Sequence, residues 1–266
     1  MNKKGIVFFD VDGTLIDWTK GISKPTESTK KSIKKLKENG YITMLATGRP
    51  RNGMNEDLIS LGFDGYIGSN GAYIEMNNKV LLDESLDKEL LKEILDFLEE
   101  NKITYMIEGQ AKNYVADLKD KKLVEFISDA SLGIENFTED WDRETVKAVK
   151  IIVLGESEEE EKLATERFKG YNLSLMGNAA FGAFEIFDSK YTKGYGISKL
   201  LEIIDMDREK TYAFGDGEND VEMFQVVKHG IAMGGYHKKL EQYAYDFTED
   251  VKNEGITKGL KKLGLI

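Results

Sequence analysis

The chain has 266 residues, 37 Lys+Arg against 48 Asp+Glu for a net charge of -11, 41% hydrophobic and 32% charged residues, 2 prolines and no cysteine. This balance describes a folded protein of one large domain or two unequal ones, not a disordered chain. It excludes disulfide scaffolds, thiol catalysis, iron–sulfur clusters and thiolate zinc sites, and the acidic surface argues against nucleic acid and anionic membranes as partners.

Gly5 to Asp10 is a β-branched and aromatic run that breaks into Asp10-Val11-Asp12-Gly13-Thr14, the pattern of a buried strand ending in a polar loop. The apolar stretch Ile6 to Phe9 is too short for a signal peptide, and no run of about 18 apolar residues occurs, so a cytoplasmic protein is expected. Ile33 and Leu36 predict a helix after Pro25 that stops at Asn39-Gly40. Tyr41 to Ala46 reads as a second strand emptying into Thr47-Gly48-Arg49-Pro50, followed by a helix around Met54 to Ser60 and a third strand near Tyr66-Ile67. That βαβαβ rhythm implies a parallel sheet with right-handed crossovers.

The pattern changes near Asp83. Leu90, Leu91, Ile94, Leu95 and Leu98 form a helical stripe, and helices over Leu123 to Ile127 and Leu163 to Phe168 are interspersed with strands. Those strands fall at Ile103 to Ile107, Tyr114 to Ala116, Val146 to Leu154, Leu173 to Met176 and Phe184 to Phe187. The charge run Glu156 to Glu161 reads as a solvated first helical turn. Alternation then resumes: a helix with Ile197, Leu200, Leu201 and Ile204 on one face, a strand at Thr211 to Phe214, a helix at Val221 to Phe224, a strand at Gly230 to Met233, and a last helix from Gly255. The expectation is an α/β protein, a doubly wound parallel sheet over 1–82 and 188–266, with an inserted α+β domain over 83–187.

Asp10 and Asp12, two apart at a strand end, leave an extended chain on the same side, about 6.6 Å apart. Carboxylates so close repel, and a shared proton or a cation must relieve them. Phe214-Gly215-Asp216-Gly217-Glu218-Asn219-Asp220 repeats the arrangement: strand end, glycines, acidic groups. Strand ends of a doubly wound sheet share one ligand-binding edge, so Asp10, Asp12, Asp216 and Asp220 are expected to converge there. Oxygen ligands without His or Cys suit a hard cation such as Mg²⁺, and Mg²⁺ in turn points to phosphate chemistry. Donors for the anion are Thr47, Gly48 and Arg49 after the second strand and Lys193 at a helix start. Asn70-Gly71 at a third strand end is first of all a turn, within reach of a ligand.

Competing motifs fail on residue identity. A calcium loop starting at Asp10 would have Leu15 where its glycine belongs and Gly21 where its glutamate belongs. A dinucleotide fingerprint at Gly215 meets Asp220 in place of its third glycine. No Gly-x-Ser-x-Gly and no Gly-Lys pair occurs, which removes serine hydrolases and P-loop enzymes, and His229 and His237 read as structural.

The sequence resembles the haloacid dehalogenase-like (HAD) superfamily of phosphohydrolases, and in particular its Cof-type subfamily. Phe8-Phe9-Asp10-Val11-Asp12-Gly13-Thr14-Leu15 is similar to the first motif, Ala46-Thr47-Gly48-Arg49-Pro50 to the second, Lys193-Gly194 to the third, and Gly215-Asp216-Gly217-Glu218-Asn219-Asp220 to the fourth. The resemblance spans essentially the whole chain, including an inserted cap after Asn70-Gly71-Ala72. It implies a Rossmann-like core that hydrolyses a small phosphorylated metabolite, with sugar phosphates as the default class. Asp10 would be the nucleophile forming an aspartyl-phosphate, and Asp12 the acid and base. Mg²⁺ would lie on the Asp10 carboxylate, the Asp12 carbonyl and Asp216, with Asp220 and Asn219 completing or orienting the shell. Thr47 and Lys193 would bind the phosphoryl group. A phosphomutase of the same architecture and a non-catalytic sensor of Mg²⁺ and a phosphorylated ligand are the alternatives. A dehalogenase would have little use for Asp12 and Asp216. Specificity would lie in the cap, near Gly177-Asn178 or Tyr114. No oligomeric state follows from the sequence.

Overall fold

The computed structural model describes residues 3–129, 132–154, 158–178 and 182–266. The chain divides into two compact units, one of Met1–Arg49, Gly53–Asp83 and Tyr191–Ile266, the other of Pro50–Asn52 and Glu84–Lys190.

In chain order the first part of unit one contains β1 (Gly5–Phe9), α1 (Glu27–Glu38), β2 (Tyr41–Ala46), α2 (Glu56–Ile59), β3 (Gly65–Gly68), β4 (Tyr73–Met76) and β5 (Lys79–Asp83). The second unit supplies α3 (Lys88–Glu100), β6 (Tyr105–Glu108), β7 (Asn113–Tyr114), α4 (Lys121–Asp129), β8 (Phe137–Thr138), β9 (Lys150–Val153), α5 (Glu158–Arg167), β10 (Leu173–Asn178) and β11 (Ala183–Asp188). Unit one resumes with α6 (Lys193–Ile204), β12 (Thr211–Gly215), α7 (Val221–Val226), β13 (His229–Ala232), β14 (Asp246–Phe247) and α8 (Gly255–Lys262). No helix among the described residues is long and apolar enough to cross a membrane.

The sheet of unit one runs β14-β13-β12-β1-β2-β3-β4-β5, parallel from β14 to β3. All five residues of β1 are buried because both faces of the sheet are covered. Val7, Phe9, Leu45, Phe214 and Ile231 pack under α1 and α8 through Ile33, Leu36, Ile256 and Leu260. The alternate residues Ile6, Phe8, Met44 and Ala213 pack under α6 and α7 through Ile197, Leu200, Met223 and Phe224. The stacked rings of Phe9 and Phe214, 5.4 Å apart, tie the two strands that carry the acidic loops. Each such buried ring contributes about 1.5–3 kcal/mol.

Four strands escape the sequence reading: the two-residue β8 and β14, and the pair β4 and β5. β4 and β5 form an antiparallel hairpin at the sheet edge, turned by Asn77 and Asn78 with φ of 51° and 59°, the conformation a two-residue hairpin turn requires. β5 is mostly exposed and lacks the buried apolar run by which the parallel strands announce themselves. The helix expected at Met54 to Ser60 is reduced to one turn, capped by Asn55.

Unit two is a sheet in the order β10-β11-β9-β6-β7-β8, antiparallel except for β7 with β8. α3 and α5 cover one face through Leu91, Ile94, Leu98 and Ala164, joined by Phe168 just past α5, and α4 covers the other through Leu123 and Ile127. Pro50–Asn52 groups with this unit, where the N–H groups of Arg51 and Asn52 donate to Gln110. Of the expected charge run, Glu156 and Ser157 lie outside the described residues, and α5 begins at Glu158.

Candidate active site

β1 and β12 are neighbours with Phe9 opposite Phe214, so the residues that leave them, Asp10 and Asp216, emerge side by side at the C-terminal edge of the sheet. The N–H of Asp10 continues the ladder by donating to the Phe214 carbonyl at 3.0 Å. Beyond it the chain does not stay extended: the Val11 carbonyl accepts from Leu15 and Ile16 at 2.9 and 3.0 Å, closing a tight turn. Gly13 sits in that turn at φ +87°, and a Cβ on it would lie 1.9 Å from Asp216 Oδ2, so both conformation and space require glycine. The buried Thr14 hydroxyl donates to Asp216 Oδ1 at 2.8 Å.

Lys193 opens α6, whose first turn is capped by the Thr192 hydroxyl. A Cβ on Gly194 would lie 2.4 Å from the Glu222 carbonyl, so glycine lets α6 approach α7 closely. The Lys193 ammonium thereby reaches Asp10 Oδ1 and Asp220 Oδ1, both at 2.6 Å. Asp220 Oδ2 accepts the N–H groups of Asp216 and Gly217, each at 2.9 Å, which holds the β12–α7 loop around the cluster. Asp10, Asp216 and Asp220 each present an oxygen within 4.8 Å of the others.

Burial is the chief reason that the Asp10 carboxyl is pushed well above the usual carboxylate range, and repulsion from Asp220 adds to it against the opposing pull of Lys193. Asp216 is pushed up to about 6, again mainly by burial, with Asp220 adding and Thr14 opposing. Burial by itself would discharge Lys193, but Asp10 and Asp220 outweigh it and hold the ammonium above the usual lysine range. Three carboxylates face one ammonium, so two negative charges are uncompensated when all are ionised. A hard divalent cation on oxygen ligands is the group that such a donor set fits.

The expected convergence of four carboxylates is corrected to three. Asp12 is not among the carboxylates that lie within 4.8 Å of one another, and Arg49 takes both of its oxygens, Nε to Oδ2 at 2.9 Å and Nη2 to Oδ1 at 2.6 Å. Arg49 was expected as an anion donor; its third contact is Nη1 to the Gly53 carbonyl at 3.2 Å. Thr47 is buried at the end of β2, its hydroxyl accepting the Arg49 N–H at 3.2 Å and its carbonyl accepting the Asn70 N–H at 3.1 Å. Asn70 sits at φ 52°, with Oδ1 buried, unpaired and packed over Gly48. Asn219 is exposed, its carboxamide lying over Gly217. Two relationships were missed from sequence: Thr14 as the partner of Asp216, and Arg49 as the partner of Asp12. The Asp-Gly-Thr run carried the only signal for the first; nothing local signalled the second.

Residues 7–260 match the model of the haloacid dehalogenase-like hydrolase family. The chain belongs to that family. HAD-like relatives include the "Putative phosphatase YkrA" of Bacillus subtilis, 30% identical with 98% of each chain covered. A second is the 5-amino-6-(5-phospho-D-ribitylamino)uracil phosphatase YitU of the same organism, 25% identical over 98% of this chain and 97% of the other. Among solved structures, the HAD subclass IIB sugar phosphatase BT4131 shares the fold with a TM-score of 0.80 at 23% identity, covering 98% of this chain and 100% of that one.

Proposed function

We propose that this HAD-family phosphoric monoester hydrolase is Mg²⁺-dependent and removes the phosphate of a small phosphorylated metabolite through an aspartyl-phosphate on Asp10. The observation that carries the reading is the buried cluster in which Lys193 bridges Asp10 and Asp220 beside Asp216, at the sheet edge where ligands of doubly wound folds bind. Asp10, Asp216 and Asp220 would hold the Mg²⁺, which when bound neutralises charge on the carboxylates and on the phosphoryl oxygens.

In this reading an Asp10 carboxylate oxygen attacks phosphorus and the ester P–O bond breaks. Asp12 gives the leaving oxygen a proton, then takes one from the water that hydrolyses the acyl phosphate, releasing inorganic phosphate and restoring Asp10. Lys193 orients Asp10 and opposes the protonation that burial favours there, and with Thr47 and the N–H groups of the Gly48 loop offers donors to the phosphoryl group. Arg49, Asn70 and Asn219 complete the proposed substrate contacts, and the second unit serves as the cap that selects substrate. Sugar and polyol phosphates are the proposed class, supported by the phosphorylated ribityl chain in the name of one relative. The acidic, cysteine-free composition supports a cytoplasmic setting.

A screen of phosphorylated metabolites for inorganic phosphate release, with Mg²⁺ and with chelator, tests the proposal. Turnover is expected only with Mg²⁺ and lost in Asp10→Asn. Near-native turnover by Asp10→Asn in excess Mg²⁺ would overturn the covalent route. Recovery of an isomeric phosphate without free phosphate would identify a phosphomutase instead.

A further inference from the structure

We propose that Arg49 is a shared clamp for which the carboxylate of Asp12 and the phosphoryl group of the substrate compete, so that an anion taken by Arg49 releases Asp12. The inference rests on the phosphatase reading above and deepens it. The guanidinium gives Asp12 its bidentate edge, Nε and Nη2 to the two carboxylate oxygens, and Nη1 to the Gly53 carbonyl. A phosphoryl group is the other ligand that matches this planar fork, and it can gain the bidentate edge only by displacing Asp12.

Arg49 stands where such an exchange is possible. β1 and β2 are paired with Phe9 opposite Leu45, so the Asp10 loop and the Thr47-Gly48-Arg49 loop leave the same edge of the sheet side by side. The Arg49 and Asp12 side chains are 24% and 50% exposed. An ion pair as open to water as this one is weak, worth about a fivefold change in an equilibrium at most. The pair involving Lys193, wholly buried, has no such freedom. One cation of the site is thus fixed to the nucleophile, and the other is held by a latch that an incoming dianion can open.

Binding of inorganic phosphate to the Mg²⁺-loaded protein, measured by titration calorimetry for wild type, Asp12→Ala, Arg49→Gln and the double variant, tests this. Arg49→Gln is expected to weaken phosphate binding about tenfold. Asp12→Ala is expected to tighten it about three- to fivefold when Arg49 is present, and to have little effect in the Arg49→Gln background. Equal tightening in both backgrounds would mean simple relief of repulsion between Asp12 and the anion and would overturn the clamp, as would no tightening at all. Either result in a protein that still hydrolyses phosphomonoesters leaves the phosphatase reading standing. A wild type that neither binds phosphate nor hydrolyses phosphomonoesters overturns both.

Discussion

The ammonium of Lys193 lies 2.6 Å from Asp10 Oδ1 inside the protein, with 0% of the lysine side chain and 6% of the aspartate side chain exposed. A buried charge that loses its partner costs several kcal/mol, because the remaining ion has neither water nor a counterion. Lys193→Met leaves Asp10 and Asp220 facing each other, and is expected to destabilise the metal-free protein by about 3–5 kcal/mol. Turnover should fall by about 10² to 10³, as for the loss of one preorganised electrostatic donor. Chemical denaturation in chelator and steady-state kinetics in Mg²⁺ check the two effects separately.

Asp216 contributes a pH dependence to stability that its substitution isolates. Its ordinary value of 3.8 is raised to about 6 in the fold, so the folded state prefers the protonated carboxyl. The stabilisation this preference brings is fully present below about pH 4 and lost as pH rises through about 6, some 3 kcal/mol in all. Asp216→Asn does not titrate and escapes that loss. In chelator, the melting temperature of Asp216→Asn relative to wild type is therefore expected to climb between pH 4.5 and pH 7. A pH-independent difference would contradict the assignment.

Thr14→Val keeps the shape of a buried side chain but deletes the hydroxyl that donates to Asp216 Oδ1. Partners of metal ligands typically change metal affinity about 10- to 100-fold. Calorimetric titration with Mg²⁺ is expected to show a loss of about tenfold, with the far-ultraviolet circular dichroism unchanged.

Gly13→Ala should be more severe. The added carbon would lie 1.9 Å from Asp216 Oδ2 at a residue whose φ is +87°, so both the turn and the carboxylate must shift. Mg²⁺ binding and phosphatase turnover are expected to fall together, whereas Gly21→Ala, also at positive φ but with open space around it, should cost stability without abolishing Mg²⁺ binding. Parallel titrations of the two variants make the comparison.

Much of the fold was legible because parallel strands buried on both faces are continuous apolar runs, and Tyr41 to Ala46 is the strand the sequence suggested. The β4–β5 hairpin was not, since a half-exposed edge strand has no such run. Asp10 and Asp216 were legible because each follows a strand end, and Asp220 because it closes the glycine-rich loop after β12; the order of strands brings those ends together. Asp12 was misplaced because its alternation with Asp10 assumed an extended chain, and the turn at Gly13 ends that alternation.

The amino-acid order alone determined the buried parallel strands, the long amphipathic helices and the residue types at their ends, because those preferences act over a few neighbouring residues. The fold alone decided which charges meet: Arg49 with Asp12 and Lys193 with Asp10 are 37 and 183 residues apart. Only the packing of β1 against β2 and of α6 against α7 turns such separations into distances at which a guanidinium or an ammonium selects its partner.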